Sequence, residues 1–288
     1  MTILNQNLIA SWLPERPKDG HKGTFGKALI VGGSVGFTGA PVLASRSAVR
    51  GGTGLVFLGV PKSVWPAAAV KSEEAMPFPL SEDENGKLTS EAAELILQKL
   101  EGCDAGLIGP GLGQSEELDK LVLTVLEQAN CPMVVDADGL NALSRHMDRL
   151  SHITCPLIFT PHDGEYQRLA GRWPGKDREG EALAFAKAHH CILVLKGHET
   201  LAASPDGEIY RNTTGNHGMA KGGSGDVLVG LMVSLLAQGM EPVKAAAAAV
   251  WIHGRAGDYA AAEKSFRGMT PSDLIEMLPK VWKEDFHS

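Results

Sequence analysis

The chain reads as an α/β protein with a central, mostly parallel sheet flanked by helices on both faces, a three-layer α/β/α arrangement. Three observations predict it. Short, continuous apolar runs alternate with segments of helical spacing, and strands apolar on both faces belong to sheets covered on both sides. The 34 glycines cluster at the ends of those runs, the pattern of ligand-binding loops rather than of disorder. The 288 residues, 43% of them hydrophobic, suffice for one large core, with no repeat, linker or composition shift to divide it. A single domain over 1–288 is the simplest organisation.

Taken in order, Ala28–Val31 reads as a strand and Gly32–Gly39 as a glycine-rich loop. Pro41–Val49 reads as a helix with proline near its first turn. Leu55–Val60 is another strand. Ser90–Leu100 has apolar residues at helical spacing, with Thr89 or Ser90 to cap it. Ala105–Ile108, Met133–Val135, Leu157–Phe159 and Ile192–Leu195 are short strands bounded by Gly, Pro or Asp. Leu201–Tyr210 breaks the alternation: Pro205-Asp206-Gly207 is a tight-turn signal and predicts a hairpin near one edge. Val227–Ala237 reads as a core helix, and Glu241–Ala261 as an alanine-rich helix whose Ala245–Ala249 run serves packing. Thr270-Pro271-Ser272-Asp273 reads as a further helix start.

Several function classes drop out. A net charge of −7 without a basic block argues against nucleic acid as a partner. No basic stretch precedes an apolar one at the N-terminus, and no apolar run reaches the roughly 18 residues of a membrane span. A cytoplasmic protein is therefore expected. Cys103, Cys131, Cys155 and Cys191 form no CxxC pair and read as buried free thiols. His146, His189, His190 and His253 have no acidic or cysteine partners at metal spacing and read as surface or core residues.

The stretch Gly215–Gly230, GNHGMAKGGSGDVLVG, carries the chemistry. A helix N-terminus offers unpaired N–H groups and a partial positive charge, and glycines let an anion approach them closely. The run Gly222-Gly223-Ser224-Gly225 thus reads as a phosphate cradle. Asp226 is the odd member, because a carboxylate repels phosphate. It is either an N-terminal cap or a base that takes a proton from a hydroxyl attacking phosphorus. A cap alone needs no preceding GGSG, which favours the base. No GxxxxGK[ST] occurs, and Leu228 stands where the last glycine of GxGxxG would be, so this is neither a P-loop nor a dinucleotide fingerprint.

Six blocks in register resemble one family. They are HKGTFGKALIVGGSVGFTGAPVLASRSAVRGGTGLV (21–56), GPGLG (109–113), VDADGLNAL (135–143), TPHDGEYQRL (160–169), LKGHET (195–200) and NHGMAKGGSGDVLVG (216–230). They resemble the ADP/ATP-dependent NAD(P)H-hydrate dehydratases of the ribokinase-like superfamily, essentially over residues 10–275. The resemblance implies a ribokinase-like fold and a repair reaction. The 6-hydroxyl of the S-epimer of hydrated NADH or NADPH is phosphorylated by ADP or ATP. Phosphate is then eliminated, restoring the cofactor.

The resemblance also implies roles. Asp226 deprotonates the hydroxyl, and the backbone of Gly223, Ser224 and Gly225 forms the anion hole. Ala40, Gly113, His162 and Asp226 meet the substrate. Lys196, Gly197, His198, Glu199, Thr200 and Gly225 bind the nucleotide. Magnesium is expected to ride on the nucleotide. Asp136 and Asp138 could help organise it, but Asp138 capping the helix that starts at Gly139 is at least as good a reading, so no metal ligand is assigned. ADP is favoured over ATP by resemblance to short bacterial members. A homotetramer is expected. The chain leaves no room for the epimerase domain that many relatives carry, so a separate NAD(P)H-hydrate epimerase is a possible partner. The competing expectation is a vitamin-precursor or sugar kinase of the same superfamily. A nucleotide-binding regulator without catalysis is the reading from another class, and the retained Asp226 argues against it.

Overall fold

A computed structural model describes residues 1–287. Its centre is a sheet of ten strands: β1 (Thr2–Ile3), β2 (Lys27–Val31), β3 (Leu55–Pro61), β4 (Met76–Leu80), β5 (Ala105–Ile108), β6 (Met133–Val135), β7 (Leu157–Phe159), β8 (Ile192–Leu195), β9 (Leu201–Ala203) and β10 (Ile209–Arg211). Their spatial order is β1-β10-β9-β8-β7-β6-β5-β2-β3-β4. Every neighbouring pair is parallel except β8–β9 and β9–β10, so β9 alone runs against the rest. β9 and β10 are the predicted hairpin.

The helices are α1 (Gln6–Ala10), α2 (Gly39–Arg50), α3 (Trp65–Lys71), α4 (Ala93–Leu100), α5 (Glu116–Gln128), α6 (Asp138–Ser144), α7 (Asp163–Ala170), α8 (Arg178–His189), α9 (Ser224–Ala237), α10 (Pro242–Gly268) and α11 (Pro271–Phe286). The period of two in each strand sorts them into two layers. Ala28 and Ile30 of β2 face one core, built with Val42 of α2, Leu228 of α9 and Leu278 of α11. Leu29 and Val31 face the other, built with Ile96 of α4, Leu121 of α5 and Tyr166 of α7. The three-layer expectation is met.

Differences from the sequence reading are local. β4 is MPFPL, and its two prolines are tolerated because it is an edge strand. The segment from Ser90 begins with a tight turn over Ser90–Ala92, and α4 proper starts at Ala93, with no side-chain cap from Thr89. α6 starts at Asp138 rather than Gly139, so Asp138 is not its cap. α10 extends to Gly268 and kinks at Ser265, whose φ is +68°.

The sheet positions the site through one reversal of strand order. β3 lies on one side of β2 and β5 on the other, so the loops after β2 and β5 meet over their carboxyl ends. Gly33 N donates to the Pro110 carbonyl (2.8 Å), and Ser34 Oγ donates to the Gly111 carbonyl (2.8 Å). Such a reversal opens the crevice in which doubly wound sheets bind ligands. α9 enters this crevice by its N-terminus while its body lies on α2. Gly230 makes that packing possible, because a Cβ there would be driven into the Ala44 carbonyl of α2.

Candidate active site

The glycine-rich turn before α9 is held from several directions. Gly223 stands at the N-cap with φ +101°, a conformation suited to glycine, and no side chain caps the helix. Ser224 is buried and donates its hydroxyl to the Met219 carbonyl (2.6 Å), so the side chain braces the turn. Asp258 of α10 accepts from Gly215 N (3.1 Å) and Asn216 Nδ2 (3.1 Å). Lys221 Nζ donates to the Arg267 carbonyl (2.7 Å) and the Met269 carbonyl. The first N–H groups of α9 have no acceptor within the helix, and that of Ser224 donates to the Lys221 carbonyl (3.2 Å).

Asp226 is the third residue of α9, in its first turn; Gly223 holds the N-cap position and no side chain caps the helix. The capping alternative is thereby overturned. Its carboxyl titrates near neutrality, pushed up to about 7 by burial and then by the charge of Asp136, against the opposing pull of Lys196. A carboxylate of that basicity is matched to proton abstraction at cellular pH.

A second cluster lies beside this turn, at the ends of β6, β7 and β8. Asp136, 2% exposed, accepts from Thr160 Oγ1 (2.6 Å) and Lys196 Nζ (2.8 Å), both on Oδ1. Lys196 Nζ also lies 3.6 Å from Glu165 Oε2. Burial pulls the Lys196 ammonium down, but Asp136, Glu165 and Asp226 outweigh it and hold its pKa above the ordinary lysine value. A Cβ on Gly225 would stand 3.6 Å from Lys196 Nζ and 3.9 Å from Asp136 Oδ2. The two clusters therefore form one site, with the bare Gly225 between them.

The other expected substrate residues lie at the start of α2, on the loop after β5 and at the start of α7. Ala40 opens α2, and a Cβ on Gly111 would lie 3.2 Å from its own. Gly113, at φ +79°, donates its N–H to Asp138 Oδ2 (2.8 Å) and sits near Ser34. Asp138 also accepts from Asn141 Nδ2 (3.1 Å), so it is an anchor for the GPGLG loop. His162 is the N-cap of α7. Its Nδ1 accepts from Gly164 N (3.0 Å) and Glu165 N (3.3 Å), while Glu165 Oε2 accepts from His162 N (2.8 Å). The imidazole is otherwise exposed, with Nε2 3.6 Å from Glu165 Oε2.

The expected nucleotide loop divides. Lys196 turns inward to the carboxylates, whereas Gly197, His198 and Glu199 line a separate cleft of ≈ 410 Å³ with Lys176, Arg178 and Arg211. Thr200 Oγ1 donates to the Gly197 carbonyl (3.2 Å) and closes the loop on itself. Arg178 donates to the Lys196 carbonyl (3.2 Å), and its Nη2 is 3.1 Å from where a Gly197 Cβ would stand. Thr160 and Glu165 carried no role in the sequence reading, although both lie in the TPHDGE block. Arg178 and Arg211 sit outside every motif and reach the cleft only through the fold.

Magnesium finds no protein cage here. Among the described residues there is no group of three or more His, Cys, Asp or Glu side chains able to hold a metal ion. Asp136 and Asp138 already serve the hydrogen bonds above. A cation at this site would be held chiefly by phosphate oxygens.

Residues 28–280 match the family described as NAD(P)H-hydrate dehydratase. The chain belongs to the NAD(P)H-hydrate dehydratase family. It is 43% identical over 281 residues to the bifunctional NAD(P)H-hydrate repair enzyme Nnr of Moorella thermoacetica, covering 95% of this chain and 53% of that protein. It is 36% identical over 278 residues to the ADP-dependent (S)-NAD(P)H-hydrate dehydratase of Bacillus subtilis, covering 96% and 95%. The chain thus spans about half the length of the bifunctional relatives. The fold of this dehydratase-family chain superposes on the crystal structure of the ADP/ATP-dependent NAD(P)H-hydrate dehydratase of Bacillus subtilis co-crystallised with ATP and Mg2+. The TM-score is 0.83 at 31% identity, covering 99% of this chain and 98% of that one.

Proposed function

We propose that the protein dehydrates the S-epimer of hydrated NADH or NADPH at the expense of ADP or ATP. The observation that carries the mechanism is the pairing of a near-neutral carboxylate, Asp226, with a glycine-bare helix N-terminus on the same turn. Asp226 takes the proton of the 6-hydroxyl as that oxygen bonds to the terminal phosphorus of the nucleotide. The phosphorus–oxygen bond to AMP (or ADP) breaks, and the N–H groups at Gly223–Gly225 hold the charge on the transferring group. The ring nitrogen lone pair then expels phosphate from C6, breaking the C6–O bond, and loss of a C5 proton to water or to the departing phosphate forms the C5=C6 double bond of the restored dihydronicotinamide.

Ala40, Gly113 and His162 border the substrate, and small residues at the first two leave room for the dinucleotide. Lys196, Gly197, His198, Glu199 and Thr200 bind the nucleotide, with Gly197–Glu199 in the neighbouring cleft, where Arg178 pairs with Asp163 and Arg211 with Glu179 and Glu199, and Lys196 at the phosphate end. Magnesium rides on the phosphate chain, and no step is assigned to it. Residues 1–288 act as one catalytic domain in the cytoplasm, as a homotetramer, alongside a separate epimerase that supplies the S-epimer. Light scattering on the purified chain tests the tetramer.

The experiment is direct. Hydrated NADH is incubated with the protein and ADP or ATP, and recovery of the reduced-nicotinamide absorbance is followed. Recovery with ADP above ATP supports the reading. No recovery with either nucleotide overturns it, and phosphorylation of a free sugar or vitamin alcohol instead would establish the kinase alternative.

A further inference from the structure

Arg168 lies in the TPHDGEYQRL block, yet the dehydration reaction gives it no task. It is exposed on α7, and among the described residues no carboxylate pairs with it. Its Nε donates to Asn141 Oδ1 (2.7 Å), while Nη1 and Nη2 carry no bond. We propose that Arg168 holds a phosphate of the hydrated dinucleotide on that free edge, and that Asn141 aims it.

A chain of three hydrogen bonds fixes the guanidinium. Asn141 is buried in α6, and its Nδ2 donates to Asp138 Oδ1 (3.1 Å). The other oxygen of Asp138 accepts from Gly113 N (2.8 Å). Arg168 is thus linked through α6 to Gly113, which borders the substrate in the proposed reaction. At its α7 end it leans back towards the helix start, with Nη1 3.9 Å from where a Cβ on Gly164 would stand. Gly164 is one turn before Arg168 on the same face and two residues after His162, the other substrate position. A cation there meets the positive end of the helix dipole, a cost that a bound anion reverses. The acids of that turn do not neutralise it: Asp163 pairs with Arg178, and Glu165 faces Lys196. Lys87, which flanks Gly113, has its ammonium on the Gln114 carbonyl. The dinucleotide carries a pyrophosphate, and its NADPH form a further 2′-phosphate. The planar edge of a guanidinium matches two oxygens of either group.

This inference rests on the proposed reaction, and its test is binding without turnover. The S-epimers of hydrated NADH and hydrated NADPH are titrated calorimetrically into the full chain with no ADP or ATP present, so no phosphoryl transfer occurs. Arg168→Gln binds hydrate about tenfold to a hundredfold more weakly than the wild type, and its affinity falls less steeply with added salt. Its ADP affinity and melting temperature stay those of the wild type. Arg168→Lys restores the charge without the planar edge, and recovers part of the affinity together with the salt dependence. Equal weakening of both hydrates assigns the pyrophosphate, and weakening of hydrated NADPH alone assigns the 2′-phosphate. In turnover the loss appears in KM rather than in kcat. An Arg168→Gln protein that binds both hydrates as the wild type does, or that loses only melting temperature, overturns the proposal. A wild type that neither binds nor turns over hydrates overturns the proposed reaction and this role with it. A wild type that turns them over no better bound than Arg168→Gln overturns the role of Arg168 alone.

Discussion

Lys196 Nζ lies 2.8 Å from Asp136 Oδ1, and this pair ties the loop after β8 to the end of β6, beside Gly225. Lys196 is 19% exposed at its side chain and Asp136 3%. Removing one member of such a pair leaves a buried carboxylate without its cation, which costs about 3 kcal/mol in a fully buried site. With Lys196 partly open to water, Lys196→Ala is expected to cost about 2 kcal/mol and to weaken ADP binding as well. Thermal melting and calorimetric titration with ADP measure the two effects. An unchanged melting temperature with weakened ADP would mean that Lys196 serves the nucleotide alone.

Asp226→Asn separates catalysis from stability. The substitution keeps the shape and removes the base, so turnover should fall by about 10³-fold or more while ADP binding persists. Stability should move the other way. The folded pKa of Asp226, about 7, is above its unfolded value, so the native state binds more protons between about pH 4 and 7 and loses stability as pH rises through that window. Asparagine removes this loss. Asp226→Asn is therefore more stable than the wild type at pH 8, by on the order of 2 kcal/mol, and the gain fades below pH 4. His253 works in the opposite sense: its folded pKa is depressed to about 4 by burial, so it contributes stability at neutral pH that is lost as pH falls. Denaturant melts of both proteins across pH 4–8 check the signs.

The legible parts of the molecule were those written in local pattern. The parallel strands β2, β5, β6 and β8 stood out as apolar runs ending at Gly, Asp or Lys, and the hairpin turn at Pro205-Asp206-Gly207 follows from short-range sterics. The glycine-bare start of α9 was readable because Gly222, Gly223 and Gly225 stand together just ahead of an apolar run, and α9 begins there with Gly223 as its N-cap. The Thr160–Asp136–Lys196–Glu165 cluster was not readable. Its members come from three separate strand ends and from α7, and nothing local marks which of the carboxylates meet. The same holds for Arg178, which reaches the cleft from α8. For His162 the local signal was ambiguous in itself, because a helix start and a ligand contact use the same loop.

His162 can be divided into those two roles. As the N-cap of α7 it accepts two backbone N–H groups through Nδ1, an interaction of about 1 kcal/mol. Asparagine or serine can replace the cap but not the imidazole. His162→Ala should lower stability by about 1 kcal/mol and raise KM for the hydrate, whereas His162→Asn should restore stability and leave KM raised. If His162→Asn recovers both, the residue is a cap and the substrate contact is refuted.

Two glycines of α9, one turn and a half apart, make a paired test of the anion hole. Gly225 has no positive φ, and a methyl group there would meet Lys196 Nζ and Asp136 Oδ2 only at ordinary contact distances, 3.6 and 3.9 Å. The backbone therefore does not require glycine, and alanine should hold or raise stability by about 0.5 kcal/mol through a less flexible unfolded chain. The same methyl occupies the space between the N–H groups and Lys196, where phosphate rests in the proposed reaction. Gly225→Ala should thus lower turnover by about 10²-fold with the melting temperature intact. Gly230 lies deeper, where a methyl would collide with the Ala44 carbonyl of α2. Gly230→Ala should cost about 2 kcal/mol by forcing α9 and α2 apart, while folded molecules stay active at low temperature. Melting curves and turnover per folded molecule separate the two. A Gly225→Ala protein that keeps wild-type turnover would show that phosphate does not occupy this turn.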